Sequence, residues 1–401
     1  MDRRSAGISR RRVLLVAGAS IALTTVTPPT RAVAITGSVS TRPEAPAGRA
    51  DLAEQAIASR HVRALWGHPH LRLGTLVWPS SLLDQSFARW CYWWQAHLLD
   101  CAVDAAARAR TPERVERVLA LARGIRTRNI TGWTNRYYDD MSWLALALER
   151  AERLLGLRFD EAIGELTADL IGGWNPAVGA LPWRSGDEYY NTPAIGPAGI
   201  ALARTGELTR ATRLAEFLHT RLRDSATGLI LDGVHEPGGR VERTPHTYCQ
   251  GVAIGLDTEL ATRTGESKYH RRATTLIDAV ADRLTDEGVI AASAADDSGL
   301  FMGILARYLA EAALALNDST AAQIVHASAQ AAWRHRAEVD GLPLFGVDWT
   351  RPVPEPTHPP TLPQLMSTPA DTPANLSRDL SVQLSAWMLL EADHRLSAAG
   401  R

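Results

Sequence analysis

Apolar residues recur at spacings of three and four along most of the chain, from about residue 51 to residue 397. This spacing is typical of helices that bury one face, and no stretch alternates apolar and polar residues as a strand would. Capping residues, glycines and prolines suggest where each helix starts and ends. The pattern predicts twelve helices, near residues 51–66, 82–107, 112–126, 136–156, 159–171, 192–205, 207–224, 247–264, 267–284, 299–314, 318–336 and 375–398.

The predicted helices follow one another in pairs. Links within several pairs are short and carry turn residues, as in Thr205-Gly206-Glu207. Links between pairs are longer and rich in glycine, proline and tryptophan, as at 172–191, 225–246 and 338–374. Six hairpins with this alternation predict an all-α fold, an (α/α)6 toroid whose long loops gather at one mouth. An open helical solenoid is the alternative, because it would show the same helices.

The N-terminus has the pattern of an export signal. Three arginines, Arg10 to Arg12, precede a short apolar run through Val26, and Ala32-Val33-Ala34 follows as an A-x-A cleavage pattern. The Ser-Arg-Arg-x-Val-Leu order resembles a twin-arginine signal, with an ordinary secretory signal as the alternative. We therefore predict a twin-arginine signal peptide over residues 1–34 and a secreted or extracytoplasmic protein. A disordered lead-in over 35–49 and a single catalytic domain over 50–401 complete the predicted organisation.

Charge and composition exclude several classes of partner. The 43 Lys and Arg residues balance 44 Asp and Glu residues, so no basic surface for nucleic acid is expected. No transmembrane segment is expected in the mature chain, because the N-terminal apolar run is shorter than the roughly 20 residues that cross a bilayer. Asp296-Asp297 is better explained as a helix cap than as a metal site, since no further ligands lie at metal-site spacing. We predict no metal, no cofactor and a monomer.

The most informative segment places two adjacent carboxylates, Asp139 and Asp140, at the start of an apolar helix. Acidic residues there often only cap free amides and complement the helix dipole. Tyr137, Tyr138 and Trp143 surround this pair, however, and aromatic surface can raise the pKa of one carboxyl while the other stays ionised. Glycosidic cleavage needs two carboxyls in different protonation states, and neighbouring residues fit the separation of about 5 Å in retaining enzymes. The segment therefore predicts a glycosidase site.

Three further segments carry side chains suited to sugars, because indole faces stack on pyranose rings and amides bond hydroxyls. The first, on a predicted helix, runs from Arg89 to His97. The second is a loop rich in glycine and tryptophan that leads into a helix at Thr192, and the third opens a helix at Thr247. The predicted sugar contacts are Trp94, Gln95, Tyr138, Trp183, Asn191, Tyr248 and Gln250. Packing and helix capping are the alternatives for these segments.

These segments together resemble glycoside hydrolase family 76, the endo-α-1,6-mannanases and their relatives. The matching motifs occur in family order and span nearly the whole mature chain: Tyr-Tyr-Asp-Asp-x-x-Trp at 137–143, Trp-Trp-Gln-Ala at 93–96, Trp183 with Asn191-Thr192, Thr-Tyr-x-Gln-Gly at 247–251 and Asp-Ser-Gly-Leu-Phe-x-Gly at 297–303. The resemblance implies an (α/α)6 toroid, retaining chemistry without a metal, and an α-mannan polysaccharide or mannose-rich cell-wall glycan as substrate. It also implies that Asp139 is the nucleophile and Asp140 the acid/base.

Four residues depart from the family pattern. Met141, His97 and Cys249 stand where Asn is usual, and His246 replaces Trp. All four lie beside the motifs, so they bear on the exact substrate. The alternative functions are a cell-wall transglycosylase on the same site, a catalytically inactive mannan-binding protein, and a sugar epimerase, which would generally use catalytic histidines.

Overall fold

The computed structural model describes residues 45–292, 298–354 and 378–401. The predicted signal peptide, Asp297 and most of the predicted proline-rich link lie outside the described residues. The lead-in predicted over 35–49 is wrong in its last part, because a helix begins at Pro46. Proline suits the first turn of a helix, where its missing N–H would have no partner.

The described part of the chain contains thirteen helices and agrees closely with the predicted pattern. They are α1 (Pro46–Arg60), α2 (Leu82–Gln85), α3 (Tyr92–Arg108), α4 (Pro112–Arg128), α5 (Tyr138–Leu155), α6 (Asp160–Gly172), α7 (Thr192–Arg204), α8 (Leu208–Phe217), α9 (Thr247–Thr264), α10 (Ser267–Arg283), α11 (Phe301–Leu316), α12 (Ser319–His335) and α13 (Leu380–Ala398). A π-helical turn at Leu218–Leu222 continues α8.

The helices form a closed double ring. Each of α3, α5, α7, α9, α11 and α13 packs against the next, and α13 packs against α3. Outside this inner ring, α4, α6, α8, α10 and α12 each pack against the inner helix that precedes them, and α1 packs against α13. The contact between α13 and α3 excludes an open solenoid and confirms the (α/α)6 toroid.

The two rings differ in residue pattern because they differ in exposure. Inner helices are buried around nearly their whole circumference, and α11 is apolar throughout most of its length. Outer helices such as α10 bury one face, with Tyr269, Ala273 and Ile277 inward. Two glycines permit close approach of inner helices: a Cβ on Gly251 would lie 2.8 Å from Leu305 Cα, and one on Gly303 would lie 2.5 Å from Ser385 Cα.

The described residues also contain nine short strands that the sequence pattern does not predict. All of them lie in the links that lead from an outer helix to the next inner helix. They form four small antiparallel sheets: β1 (Val62–Ala64) with β2 (Arg72–Gly74), β3 (Tyr189–Asn191) with β4 (Gly233–His235) and β5 (Arg240–Glu242), β6 (Thr285–Asp286) with β7 (Val289–Ile290), and β8 (Ala337–Val339) with β9 (Leu342–Leu344). Runs of two or three residues are too short to show an alternating pattern.

The helix predicted over 82–107 is also wrong in its first half. Helix α2 ends at Gln85 and α3 begins only at Tyr92. Phe87 between them has a left-handed φ of 56°, which ends a helix. The segment from Arg89 to Cys91 therefore precedes α3 instead of lying on it.

Candidate active site

Each of the inner helices α3, α5, α7, α9 and α11 is followed by a short link and an outer helix, and a longer link then returns the chain to the next inner helix. All six inner helices therefore start at the same end of the toroid. The long links, including those with the short sheets, gather at this mouth. Helix N-termini carry unpaired N–H groups and a partial positive charge, so their convergence favours negative side chains. Asp139 and Asp140 lie in the first turn of α5, at this mouth.

Asp139 is completely buried and held by hydrogen bonds. The indole Nε1–H of Trp183 donates to its Oδ2 at 3.1 Å. The backbone N–H of Asp140 donates to its Oδ1 at 2.9 Å. Both hydrogen-bond donors and the helix N-terminus complement the negative charge of a carboxylate.

Trp183 reaches Asp139 because backbone bonds fix the loop between α6 and α7 across the start of α5. The N–H of Tyr138 donates to the carbonyl of Trp183 at 2.9 Å, and the N–H of Trp183 donates to the carbonyl of Tyr189 at 2.7 Å. The Trp183 indole also packs edge-on against Tyr137, with 5.3 Å between ring centroids. The donor to Asp139 is therefore held in place by the protein itself.

Asp140 has a more open environment than Asp139. It is partly exposed, and Asn135 Nδ2 donates to its Oδ2 at 2.9 Å. Asn135 is oriented by its own Oδ1, which accepts from the N–H of Tyr137 at 2.7 Å. Burial, and the nearby charge of Asp140, raise the pKa of the Tyr92 phenol well above its usual value. The two neighbouring carboxyls therefore differ in environment, one buried and one partly exposed. This difference suits separate roles as nucleophile and acid/base.

Gln95 and Gln250 do not face the open site, so their predicted sugar contacts are corrected. Both are completely buried. The Gln95 amide accepts from Gly74 N–H at 2.8 Å and donates to Gly74 O at 2.9 Å. Gln250 bonds Ile230 in the same way, at 2.8 and 2.7 Å. Gln383 on α13 repeats the arrangement with Phe345. Each glutamine sits in the first turn of an inner helix and anchors a mouth loop.

Trp94, Asn191 and Tyr248 lie at the mouth ends of α3, α7 and α9, with little exposed surface. Trp94 is 3% and Tyr248 4% exposed, and Tyr248 stacks on Phe301 with 3.7 Å between ring centroids. Trp94 Nε1 and Asn191 Oδ1 have no hydrogen-bond partner within the described residues. Buried polar atoms normally find one, so these two atoms suit sugar hydroxyls, and the predicted contacts stay predictions.

Tyr138 points elsewhere. A Cβ on Gly173, at the end of α6, would lie 2.4 Å from its Cζ. The ring therefore packs over Gly173, and support of the loop that carries Trp183 is the simpler account of this residue.

The sequence did not single out Asp232, a third carboxylate at the mouth. Tyr189 Oη donates to its Oδ2 at 2.5 Å, and Cys249 Sγ lies 3.6 Å from its Oδ1. Its backbone carbonyl accepts from the N–H of Thr192 at 2.8 Å. Asp232 stands in an Asp-Gly pair typical of a turn, so the sequence carried no signal for a site residue. Within the described residues no group of three or more His, Cys, Asp or Glu side chains could hold a metal ion.

His97 lies deeper on α3, against Trp143, with 4.7 Å between ring centroids. Burial, with a smaller contribution from Arg307 and against the charge of Asp100, lowers its pKa to about 3. Burial likewise lowers the pKa of His61 to about 4. Both rings are therefore neutral at pH 7.

These buried histidines predict a loss of stability in acid. Unfolding restores an ordinary pKa near 6.5, so the unfolded chain binds more protons and stability falls as pH drops below about 6.5. Each residue should cost about 2 kcal/mol at pH 5, at 1.36 kcal/mol per pH unit. Urea unfolding at pH 7 and pH 5 should show a smaller difference for His97→Asn than for the wild type. His270→Asn, at an exposed position, should keep the wild-type difference. The same loss of unfolding free energy between pH 7 and pH 5 in all three proteins would contradict a depressed pKa for His97.

Comparisons with known proteins establish the family and the fold. The sequence model of glycosyl hydrolase family 76 matches residues 52–379, whereas no curated protein matches the chain. The α-1,6-mannanase GH76A of Salegentibacter sp. HEL1_6 is similar in structure, with a TM-score of 0.72, 24% identity, and coverage of 87% of this chain and 99% of that one. The chain belongs to glycosyl hydrolase family 76.

Two further structures have the same fold. An inactive variant of the Salegentibacter mannanase, with two consecutive aspartates replaced by asparagine, was solved with α-1,6-mannotriose; its TM-score is 0.73 at 24% identity, covering 87% of this chain and 99% of that one. The Lin0763 protein of Listeria innocua has a TM-score of 0.75 at 24% identity, covering 88% and 98%. Among the described residues of this chain, no helix has the length and apolar character needed to cross a membrane.

Proposed function

We propose that this protein is an exported, retaining glycoside hydrolase that cleaves α-1,6-linked mannose within α-mannan-type polysaccharide. The observation that carries the proposal is the carboxylate pair at the mouth of the toroid. Asp139 is buried and accepts a hydrogen bond from Trp183, and the neighbouring Asp140 is partly exposed. Family membership supports glycosidic chemistry. The Salegentibacter mannanase supports the linkage, because its inactive variant was solved with α-1,6-mannotriose, and it supports the carboxylate pair, because two consecutive aspartates are replaced in that variant.

In the proposed reaction the Asp139 carboxylate attacks the anomeric carbon while Asp140 gives its proton to the departing glycosidic oxygen. The bond to the leaving sugar breaks and an ester to Asp139 forms. Asp140, now ionised, takes a proton from water, which attacks the same carbon and releases Asp139. Adjacent carboxyls in one helical turn suit this double displacement, since no room is needed for a water between nucleophile and sugar in the first step.

Sugar binding in this proposal uses polar and aromatic residues at the mouth of the toroid. Trp183 is half-buried and its indole already points at Asp139. Trp94, Asn191 and Tyr248 line the ends of three other inner helices. The departures from the family pattern at His97, Met141, His246 and Cys249 lie under or beside these residues and would tune the subsites.

Linear α-1,6-mannan, tested beside β-1,4-mannan and α-1,4-glucan, is the direct assay of substrate class. We expect oligosaccharides from α-1,6-mannan alone, of mixed intermediate sizes early in the reaction. Longer products after adding a short α-1,6-mannooligosaccharide would favour a transglycosylase. Tight binding of mannan without any product would favour an inactive binding protein, and neither binding nor product would exclude this substrate.

Export through the twin-arginine route and action as a monomer are parts of the same proposal. The arginines concerned, Arg10 and Arg11, lie outside the described residues. Replacing both with lysine keeps the charge but should stop export, and normal export of that variant would favour the general secretory route.

A further inference from the structure

Trp66 is a large aromatic side chain held out into solvent at the mouth end of the toroid. It is 63% exposed, in the link between α1 and α3. Its backbone is left-handed, with φ of 50°, and it is followed by Gly67 with φ of 77°. A left-handed conformation is unfavourable for a residue with a side chain, and such strain persists only where the surroundings impose it, often at functional sites.

The surroundings fix the ring of Trp66 while leaving its face open. Its Nε1–H donates to the carbonyl of Ser86 at 3.1 Å. Ser86 caps α2, a short helix whose start is secured by a capping box between Ser81 and Asp84. The indole N–H is thus occupied, and the flat ring is the part that remains available for binding.

A row of contacts connects this ring with the N-terminal end of α3. Next to Ser86, the carbonyl of Phe87 accepts from Arg128 Nε at 2.8 Å. The Arg128 guanidinium lies 5.1 Å from the centre of the half-buried Trp90 ring, and that ring lies 5.7 Å from Tyr92. Tyr92 is the first residue of α3, which packs against α5, the helix whose first turn carries Asp140. These contacts connect Trp66 with Trp90 and Tyr92, at the mouth end of the helix beside the catalytic pair.

We propose that Trp66 is an outlying sugar-binding platform, which stacks on mannose units of a long chain far from the bond that is cut. This inference rests on the proposed function and extends it to substrate length. Continuity with Trp90 and Tyr92 favours a glycan as the occupant. The exposed Leu82 and Leu83 on α2 make a lipid surface the competing occupant, which the experiment below distinguishes.

The test compares Trp66→Ala with the wild type on a length series of α-1,6-mannooligosaccharides and on the polymer. We expect KM for the polymer to rise about three- to tenfold, the range typical of one lost stacking contact, with kcat unchanged. The shortest substrates should show no change, and the length at which the effect begins measures the distance to the platform. Trp66→Phe, which keeps a ring but not the bond to Ser86, should retain most of the affinity.

Two controls separate the possible failures. Leu208→Ala removes an exposed apolar side chain at the opposite end of the toroid and should change nothing. Equal effects of Trp66→Ala on short and long substrates, or no effect on any, would overturn the inference. Lost binding to phosphatidylglycerol vesicles with unchanged KM on mannan would assign the surface to lipid instead. If the wild type neither binds nor cleaves α-1,6-mannan, the proposed function fails first.

Discussion

Asp139→Asn should abolish turnover of every substrate, whereas Asp140→Asn should still release one equivalent of phenol from an aryl α-mannoside with an acidic leaving group. Without Asp139 no covalent ester forms, and loss of a nucleophile costs on the order of 10⁴-fold or more. Without Asp140, protonation is lost, which costs about 10²- to 10⁴-fold on mannan. An acidic phenol leaves without protonation, so the first step survives and a burst appears.

Azide should then rescue Asp140→Asn, because this small anion attacks the ester without a general base. Asp160→Asn is the matched control: Asp160 is also an aspartate in the first turn of a helix, but it is exposed and paired with Arg158. It should keep wild-type activity. The reverse pattern between the two variants would exchange the roles, and near-wild-type activity of both with an intact fold would reduce the pair to a helix cap.

Arg150→Met should destabilise the protein by about 3–5 kcal/mol, the cost of stripping buried carboxylates of their partner. Arg150 is buried at the C-terminal half of α5 and forms ion pairs with Asp100 and Asp104 of α3. Burial would raise the pKa of Asp104, but Arg150 and Arg307 hold it below its ordinary value. The ion pair between Arg307 Nη2 and Asp104 Oδ2, at 2.6 Å, would remain. The loss of stability should therefore be partial, and the unfolding free energy of the variant should still be measurable.

Guanidinium chloride unfolding gives the free energies for this comparison. Arg123→Met is the control, because Arg123 forms an exposed ion pair with Glu116, and it should cost less than about 1 kcal/mol. Similar small losses for both variants would mean that the buried cluster contributes little to stability.

The helices could be predicted from the sequence because the apolar spacing that marks each buried face lies within the helix itself. Helix α9 was predicted over 247–264 and observed at Thr247–Thr264. The carboxylate pair was placed at the start of a helix, and α5 does begin at Tyr138. Closure of the ring required the structure, since the contact between α3 and α13 joins residues nearly three hundred positions apart.

The two corrected sugar contacts share a cause: both side chains have partners in loops that the sequence pattern does not place beside them. Gln95 bonds Gly74, and Gln250 bonds Ile230, each 20 or 21 positions away. A glutamine beside tryptophans in the sequence suggests a sugar contact. In the structure, however, its amide forms hydrogen bonds with the N–H and C=O groups of a buried loop, which otherwise would have no partner. Trp66 was overlooked for the converse reason, because exposure and backbone conformation leave no periodic signal.

The anomeric configuration of the first product from α-1,6-mannan tests the central claim most directly. Proton NMR followed from the start of the reaction, before mutarotation, should show the new reducing end as the α anomer, because two displacements at the same carbon retain configuration. A β anomer as the first product would mean that water attacks directly and that Asp139 is not a nucleophile.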